Sequence, residues 1–329
     1  MALMRGHKQT DVGGVPLDWD VLALAKVCVK IQDGTHFSPS PGGSDFLYIT
    51  SRNIRFGTLD ISTAGRINAA QHRAIYARCD VKPGDLLLTK DGANTGNAAL
   101  NTLEGEFSLL SSVAFLRFDS RKHAPGYFLQ QILSASGQRR IKDAMSGNAI
   151  TRLTLKKIRG LRFPVAPFSE QSAIAEVLGD VDALLGALTQ LIAKKRGLKQ
   201  AAMQQLLTPL TRLPGFGGDW VLKRLEDFVS IRNQKVMPAE VHPDTVCVEL
   251  EHVGQGDGRL LEWSTARKSM SSKYRFTAGD VLFGRLRSYL RKFWYADRDG
   301  LCSTEIWPLV VNSGQATGGF LHKLVHCNS

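Results

Sequence analysis

The sequence has no CxxC pair, and its five cysteines, Cys28, Cys79, Cys247, Cys302 and Cys327, are scattered and odd in number. A disulfide framework or a zinc ribbon needs paired spacing, so neither is the expected basis of the fold, and a reducing compartment fits better. No window reaches the roughly 18 apolar residues of a membrane span. The opening MALMRGHKQT lacks the apolar run of a secretory leader, so a cytoplasmic location is expected. Catalytic signatures are missing too. GDLLLTKDGANTGN (Gly84 to Asn97) has no Gly-Lys-Ser/Thr of a phosphate loop, and GQGDG (Gly254 to Gly258) lacks the βαβ setting of a dinucleotide site. No Asn/Asp-Pro-Pro-Tyr/Phe segment and no carboxylate-lysine nuclease cluster is present, and His322, His326 and Cys327 lack a further ligand pattern, so neither catalytic nor metal-ligating residues are expected. Acidic residues are also in short supply. Against 42 Lys and Arg there are 30 Asp and Glu, a net charge of +12. Such a surplus favours a polyanionic partner, because each cation set against a phosphate releases counterions.

At 329 residues the chain exceeds one ordinary core and predicts two or three domains. It also repeats itself. DWDVLALAKV around Trp19 matches DWVLKRLEDF around Trp220, and VKPGDLLLTKDG (Val81 to Gly92) matches FTAGDVLFGRLR (Phe276 to Arg287). LLSSVAFLRF and GYFLQQILSAS then find counterparts in GLCSTEIWPLVV and GGFLHKLVHCNS, with Ser112 to Phe128 separated as Thr304 is from Phe320. The first copy continues through GNAITRLTLKKIRGLRFPVAP (Gly147 to Pro167), and the second stops short of an equivalent. FLYIT, GDLLLT and VAFLRF are short β-rich runs bounded by turn formers and read as strands, while Gly126 to Ser136 reads as one short helix. The modules are therefore α/β (α+β).

From about Glu170 to Leu207 the pattern changes. Ile174, Val177, Val181, Leu184, Leu188, Leu191 and Leu198 recur mostly in three- and four-residue steps, the spacing of a coiled-coil seam. Ser169, just after Pro167, is the expected N-cap. About 38 residues at about 1.5 Å each make a rod of roughly 57 Å. Pairing is expected through Ile174, Val181, Leu184, Leu188 and Leu191. An amphipathic helix lying on its own domain is the alternative.

Segments suited to DNA are rich in small polar residues. In Gly84 to Asn97, Lys90 can neutralise a phosphate, and Asn94, Thr95 and Asn97 can meet base edges or phosphates. A plain Gly/Asn turn is the competing reading. Thr35, His36, Ser51, Arg52 and Asn53 offer similar groups within Asp33 to Ile54. Arg152 leads a basic stretch, Lys156, Lys157, Arg159 and Arg162, that tracks phosphates or forms a solvated surface. In the second copy, Thr265 to Arg298 holds nine Lys or Arg against two acids. Arg285, Arg287, Arg291 and Lys292 interleave with Phe283, Tyr289, Phe293 and Trp294. The aromatics are expected in the core, with the cations facing DNA.

DGTHF (Asp33 to Phe37), GDLLLTKDGANTG, PVAPFSEQSAIAEVLGDVDALL (Pro164 to Leu185), and KKRGLKQAAMQQLLT (Lys194 to Thr208) followed by RLPGF resemble type I restriction-modification specificity subunits over nearly the whole chain. The resemblance implies a non-catalytic subunit with two target-recognition domains, each reading half of a split double-stranded DNA site, spaced by a coiled coil of long helices. It implies methyltransferase and motor-nuclease partners, which hold S-adenosylmethionine, ATP and magnesium; this chain is expected to bind no cofactor. Carried over, 1–18 is an N-terminal tail, 19–168 the first recognition domain, 169–208 the spacer helix, 209–218 a linker, and 219–329 a partial second recognition domain. With no second spacer helix in the sequence, self-pairing of the first into a homodimer is expected. A stand-alone DNA-binding regulator or decoy, or a truncated subunit without function, is the alternative.

Overall fold

The computed structural model describes residues 6–37, 39, 43–145, 152–208, 211–312, 314 and 316–327. The chain divides into two compact units, Met1–Ala187 and Leu188–Ser329.

The first unit opens with β1 (His7–Thr10) and β2 (Gly13–Pro16), an antiparallel hairpin in the stretch expected to be a tail. Then come β3 (Asp20–Ala23), α1 (Leu24–Val27), β4 (Cys28–Asp33), β5 (Phe46–Ile49), β6 (Gly65–Ile67) and α2 (Ala69–Tyr76). β7 (Leu86–Thr89), β8 (Ala98–Leu100), β9 (Ser108–Leu109) and β10 (Val113–Phe118) follow. The unit continues with α3 (Pro125–Leu133), α4 (Ala135–Ala144), α5 (Leu155–Gly160), β11 (Arg162–Val165) and the first part of the long α6 (Phe168–Leu206), whose residues from Leu188 onward belong to the second unit. The helix expected over Gly126 to Ser136 is in fact two. Ser134 takes an extended conformation, and its hydroxyl accepts from the Gly137 N–H, ending α3 and capping α4.

β4-β10-β7-β8 form a four-stranded antiparallel sheet, and β6-β5-β9 a three-stranded one in which β5 and β9 run parallel. The apolar runs of β7 and β10 follow from their position between two cores. Leu86, Leu88, Leu116 and Phe118 face one cluster with Phe128, Ile158 and Phe163, while Leu87, Val113 and Phe115 face another with Ile49, Ile75 and Phe107. A strand covered on both faces has no need of polar alternation. β11 closes the unit by pairing with β3, Phe163 against Leu22. Truncating a buried ring such as Phe163 costs about 3–5 kcal/mol.

The second unit repeats this plan with β12 (Val229–Ile231), β13 (Lys235–Val236), β14 (Val246–Val248), β15 (Ser264–Thr265), β16 (Lys273–Phe276), β17 (Val281–Gly284), β18 (Phe293–Tyr295), β19 (Gly300–Ser303), β20 (Ile306–Val311) and α7 (Gly318–His326). Its four-stranded sheet, β12-β20-β17-β18, has the order of β4-β10-β7-β8. Its other sheet, β13-β16-β19-β14-β15, holds a parallel β14·β19 pair and an antiparallel β14·β15 pair, as β5 does with β9 and β6. The sequence repeat is thus a repeat of topology.

α6 has 39 residues and begins at Phe168, so Ser169 lies in its first turn and not at the cap. Gln171 anchors the start, accepting from the Ala124 N–H and donating to the Ala166 carbonyl, and Trp19 Nε1 donates to Glu170 at 3.0 Å. Ile174 packs against the first core, so it is a docking residue and not part of the open seam. From Val177 onward Val181, Leu184, Leu188, Leu191 and Leu198 are exposed. Pro209 and Leu210 of the expected linker and Gly147–Thr151 lie outside the described residues.

Candidate nucleic-acid interface

One end of the first four-stranded sheet gathers the polar loops. The loop after β4 is pinned by hydrogen bonds from Thr35 N to Leu109 O and from Ser111 N to Thr35 O. Gly34 lies so close to the Leu109 carbonyl that a Cβ would collide with backbone, which explains the glycine in DGTHF. The β7–β8 loop joins the same end. Lys90 N donates to Ser112 O, Leu153 N donates to Lys90 O, and Ser51 N reaches Ser112 Oγ at 3.3 Å. Gly92 and Gly96 take positive φ, 98° and 100°, and let the loop turn back within a few residues.

Beneath the loops is a charged network. Lys90 is 2% exposed, its ammonium 2.6 Å from Asp91 Oδ2 and 3.5 Å from Asp33 Oδ2. His36 Nε2 lies 3.3 Å from Asp33, and Arg152 Nε 3.2 Å from Asp91 Oδ1. The reading of Lys90 as a phosphate ligand therefore gives way, since its charge is spent on two carboxylates away from solvent. Thr35 and Asn53 are buried as well. Thr35 Oγ1 accepts from the Phe37 N–H, and Asn53 holds its own turn through Thr50 and the Asp60 carbonyl. Thr95 Oγ1 donates to the Gly92 carbonyl and Asn97 Nδ2 to the Ile54 carbonyl, both within the fold. The groups that reach solvent are His36, Arg52, Asn94 and Arg152, with Ser51 half-buried. Phe37, which the sequence singled out only as the end of DGTHF, joins them at 53% exposed. Lys156 projects from α5, but Arg159 and Arg162 donate to the carbonyls of Ile31 and Val21, so part of the basic stretch braces the module.

In the second unit, Arg285–Arg291 is a loop with a single 3-10 turn, Ser288–Leu290, and not a strand. Arg287 and Arg291 flank it in the left-handed region, φ 54° and 50°, a conformation that costs an L-residue about 1–2 kcal/mol. The strain is met on one side by Arg291, whose guanidinium donates to the Val325 and His326 carbonyls at the end of α7. Lys292 donates to the Leu250 carbonyl at 2.8 Å. Arg285 and Arg287 remain exposed, and Tyr289 is 74% exposed, not in the core as expected; Phe293 and Trp294 are buried. Short-range alternation could not show this, because the turn breaks the strand register. Burial pushes the half-buried His322 down to about 4, helped by Lys323, His326 and Lys199. Among the described residues no group of three or more His, Cys, Asp or Glu could hold a metal ion, and no helix is long and apolar enough to cross a membrane.

The site offers exposed guanidiniums, a carboxamide, an imidazole and aromatic faces on a braced base, groups suited to phosphates and base edges. No family model matches the chain. It is 25% identical over 206 residues to the putative type I restriction enzyme MjaX specificity subunit of Methanocaldococcus jannaschii, covering 61% of this chain and 48% of that protein. It is 26% identical over 196 residues to the MjaVIII specificity subunit of the same organism, covering 56% and 44%. The chain thus spans about half the length of these curated relatives. Among solved structures, the type I restriction-modification S subunit from M. genitalium matches with a TM-score of 0.55 and 15% identity over 93% of this chain and 76% of that one, a likeness of fold.

Proposed function

We propose that this chain, a relative of type I specificity subunits, is a non-catalytic DNA-recognition subunit that directs partner methyltransferase and motor-nuclease subunits to a bipartite double-stranded site. The observation that carries this reading is the repeat of one sheet order in the two units, each presenting exposed cations on a polar loop surface. In the first unit the readers are His36, Phe37, Arg52, Asn94 and Arg152; in the second they are Arg285, Arg287 and Tyr289. The net charge of +12 supplies the sequence-independent attraction. S-adenosylmethionine, ATP and magnesium belong to the partner subunits in this reading, and a reducing cytoplasm suits the five free thiols.

The exposed seam of α6 gives the chain a means of self-association. Two copies pairing antiparallel through Val181, Leu184, Leu188 and Leu191 would bury it and present duplicate recognition units, favouring a palindromic split site.

Co-purification with a candidate methyltransferase subunit, followed by duplex binding across a salt series, tests the proposal. A complex that prefers one split sequence at physiological salt supports it. A chain that captures no methyltransferase and loses all DNA binding with added salt leaves only charge-driven association.

A further inference from the structure

One turn of chain recurs in both units and carries different side chains at its tip. In the first, Ile54 bridges Leu59, Arg55 N donates to Thr58 O, and Phe56 and Gly57 form the tip. In the second, Val253 bridges Leu260, Gly254 N donates to Arg259 O, and Gln255–Gly258 form the tip. The bases of the two turns are built alike. Asn53, just before the bridge, is buried; its Oδ1 accepts the Thr50 N–H and its own N–H donates to Thr50 O. His252 is buried at the same place; its Nδ1 accepts the Glu249 N–H and its own N–H donates to Glu249 O. Asp60 N then donates to Asn53 O as Leu261 N does to His252 O. Each tip is tethered as well. Gly57 N donates to Ala98 O at the start of β8, and Gly256 N donates to Arg291 O, two residues before β18. The tip therefore stands beside the loop that leads into the sheet's edge strand. In the first unit that loop grips it directly, Asn97 Nδ2 donating to Ile54 O at 3.2 Å. The GQGDG stretch is thus the second unit's version of this turn, with Gly256 and Gly258 at φ of 70° and 71°.

We propose that the turn is a reading finger. At its tip Phe56 selects thymine at one position of the first unit's half-site, packing its ring on the C5-methyl group. This contact rests on the DNA-recognition reading and names one of its determinants. Phe56 is 58% exposed and belongs to neither core cluster of the first unit. Around it Arg52, Arg55, Thr58 and Asn94 are exposed and polar, so the ring is the apolar group of a polar surface. The backbone that carries it is held from both sides, by the bonds to Asn97 and Ala98 and by Arg55 paired with Asp60 at 3.4 Å. A phenyl ring has no strong hydrogen-bonding group, and the apolar group that a base pair shows in the major groove is the thymine methyl. Gln255 and Asp257 are exposed at the tip in the second unit. One scaffold there carries a carboxamide and a carboxylate in place of a ring, so the two half-sites are read by different chemistry.

The test uses the full chain, with any methyltransferase subunit that co-purifies, to select a preferred split site from random duplexes. Each thymine of that site is then replaced singly by deoxyuridine, which removes the methyl and nothing else. For the wild-type chain, one such replacement is expected to weaken binding about fourfold, the worth of one buried methyl. Phe56→Ala is expected to bind the intact site at least about fourfold more weakly and to ignore that methyl, with an unchanged melting temperature. Phe56→Leu, still apolar, should keep part of the methyl dependence. The finger is overturned if no thymine methyl matters, or if the same methyl matters equally to wild type and Phe56→Ala. Weaker binding by Phe56→Ala without methyl dependence also overturns it, pointing to a ring inserted between bases. If the wild-type chain selects no sequence at all, the DNA-recognition reading falls with it. Selection of a site that Phe56→Ala binds equally well removes the finger alone.

Discussion

Asp85 and Asp280 take the same place in the two sheets, one residue before β7 and β17, and each is gripped by a single arginine that comes from a different strand. Arg117 reaches Asp85 from β10 at 2.9 and 2.8 Å, and Arg232, just past β12, reaches Asp280 at 2.9 and 3.1 Å. In both, the carboxylate also accepts a main-chain N–H from the preceding turn, Lys82 or Thr277. Removing the arginine strands a buried carboxylate, at a cost of about 3–5 kcal/mol. Arg117→Ala is expected to raise exchange rates across β7 and β10 and to spare β17 and β20, and Arg232→Ala to do the reverse. Segment-resolved hydrogen exchange decides, and equal effects in both units would contradict separate locks.

Lys90→Met should be the most damaging substitution at the candidate interface, because Asp33 and Asp91 lose their shared cation inside the fold. A loss of about 3–5 kcal/mol in chemical denaturation is expected. Arg152→Ala, at the rim, should change stability by less than about 1 kcal/mol. It should weaken DNA binding across all sequences and lower the salt slope by about 1 if it meets a phosphate. A Lys90→Met chain of normal stability would show that the network carries little of the fold.

Arg287→Gly separates strain from recognition. Glycine takes φ near 54° without penalty, so stability should hold or rise by up to about 1 kcal/mol even after the unfolded-state entropy of glycine is counted. DNA affinity should fall because the guanidinium is lost. Thermal melts and duplex titrations on one preparation read both effects, and a loss of stability would mean that the arginine makes contacts which outweigh the strain.

His322 gives the second unit an acid sensitivity. Burial, helped by the neighbouring Lys323, His326 and Lys199, holds its imidazole near 4 in the folded chain, against about 6.5 when unfolded. Between those values the unfolded chain binds more protons, so the contribution of this histidine is complete above about pH 6.5 and is lost as pH falls towards 4. His322→Phe should flatten the stability profile of the second unit in that window. His326, also lowered by burial, leaves a residual slope.

Leu184→Asp together with Leu188→Asp should abolish self-association without touching either core, since both side chains are exposed. Light scattering at micromolar concentration reads the change; a wild-type monomer would refute pairing through α6.

Much of this was legible in the residues. The Leu-Leu-Leu and Val-Ala-Phe-Leu runs marked strands, the three-and-four stepping marked α6, and the matched blocks marked the repeat that the sheet order shows. The relationship to specificity subunits was also visible in the helix motif, where Glu170 and Gln171 turn out to tie α6 to Trp19 and Ala124. The site was less legible. Lys90 is neutralised partly by Asp33, far away in sequence, and only the sheet brings them together. Ile174 lies in the apolar stripe but docks on the first core, because periodicity shows which face is apolar and not what meets it. The β1–β2 hairpin turns through Asp11 and Val12, without the Asn-Gly or Asp-Gly signal that announces such turns.

The pairing of β3 with β11 brings the start and the end of the first module side by side. A module tied at adjacent strands is a closed loop of chain standing on one narrow neck. Its interior can lengthen, shorten or be exchanged for another of the same sheet order without moving α6, because closing the loop costs only about 0.6 kcal/mol more for each doubling of its length. Under the proposed function, the loops of that interior could then change their sequence preference while α6 stays as it is.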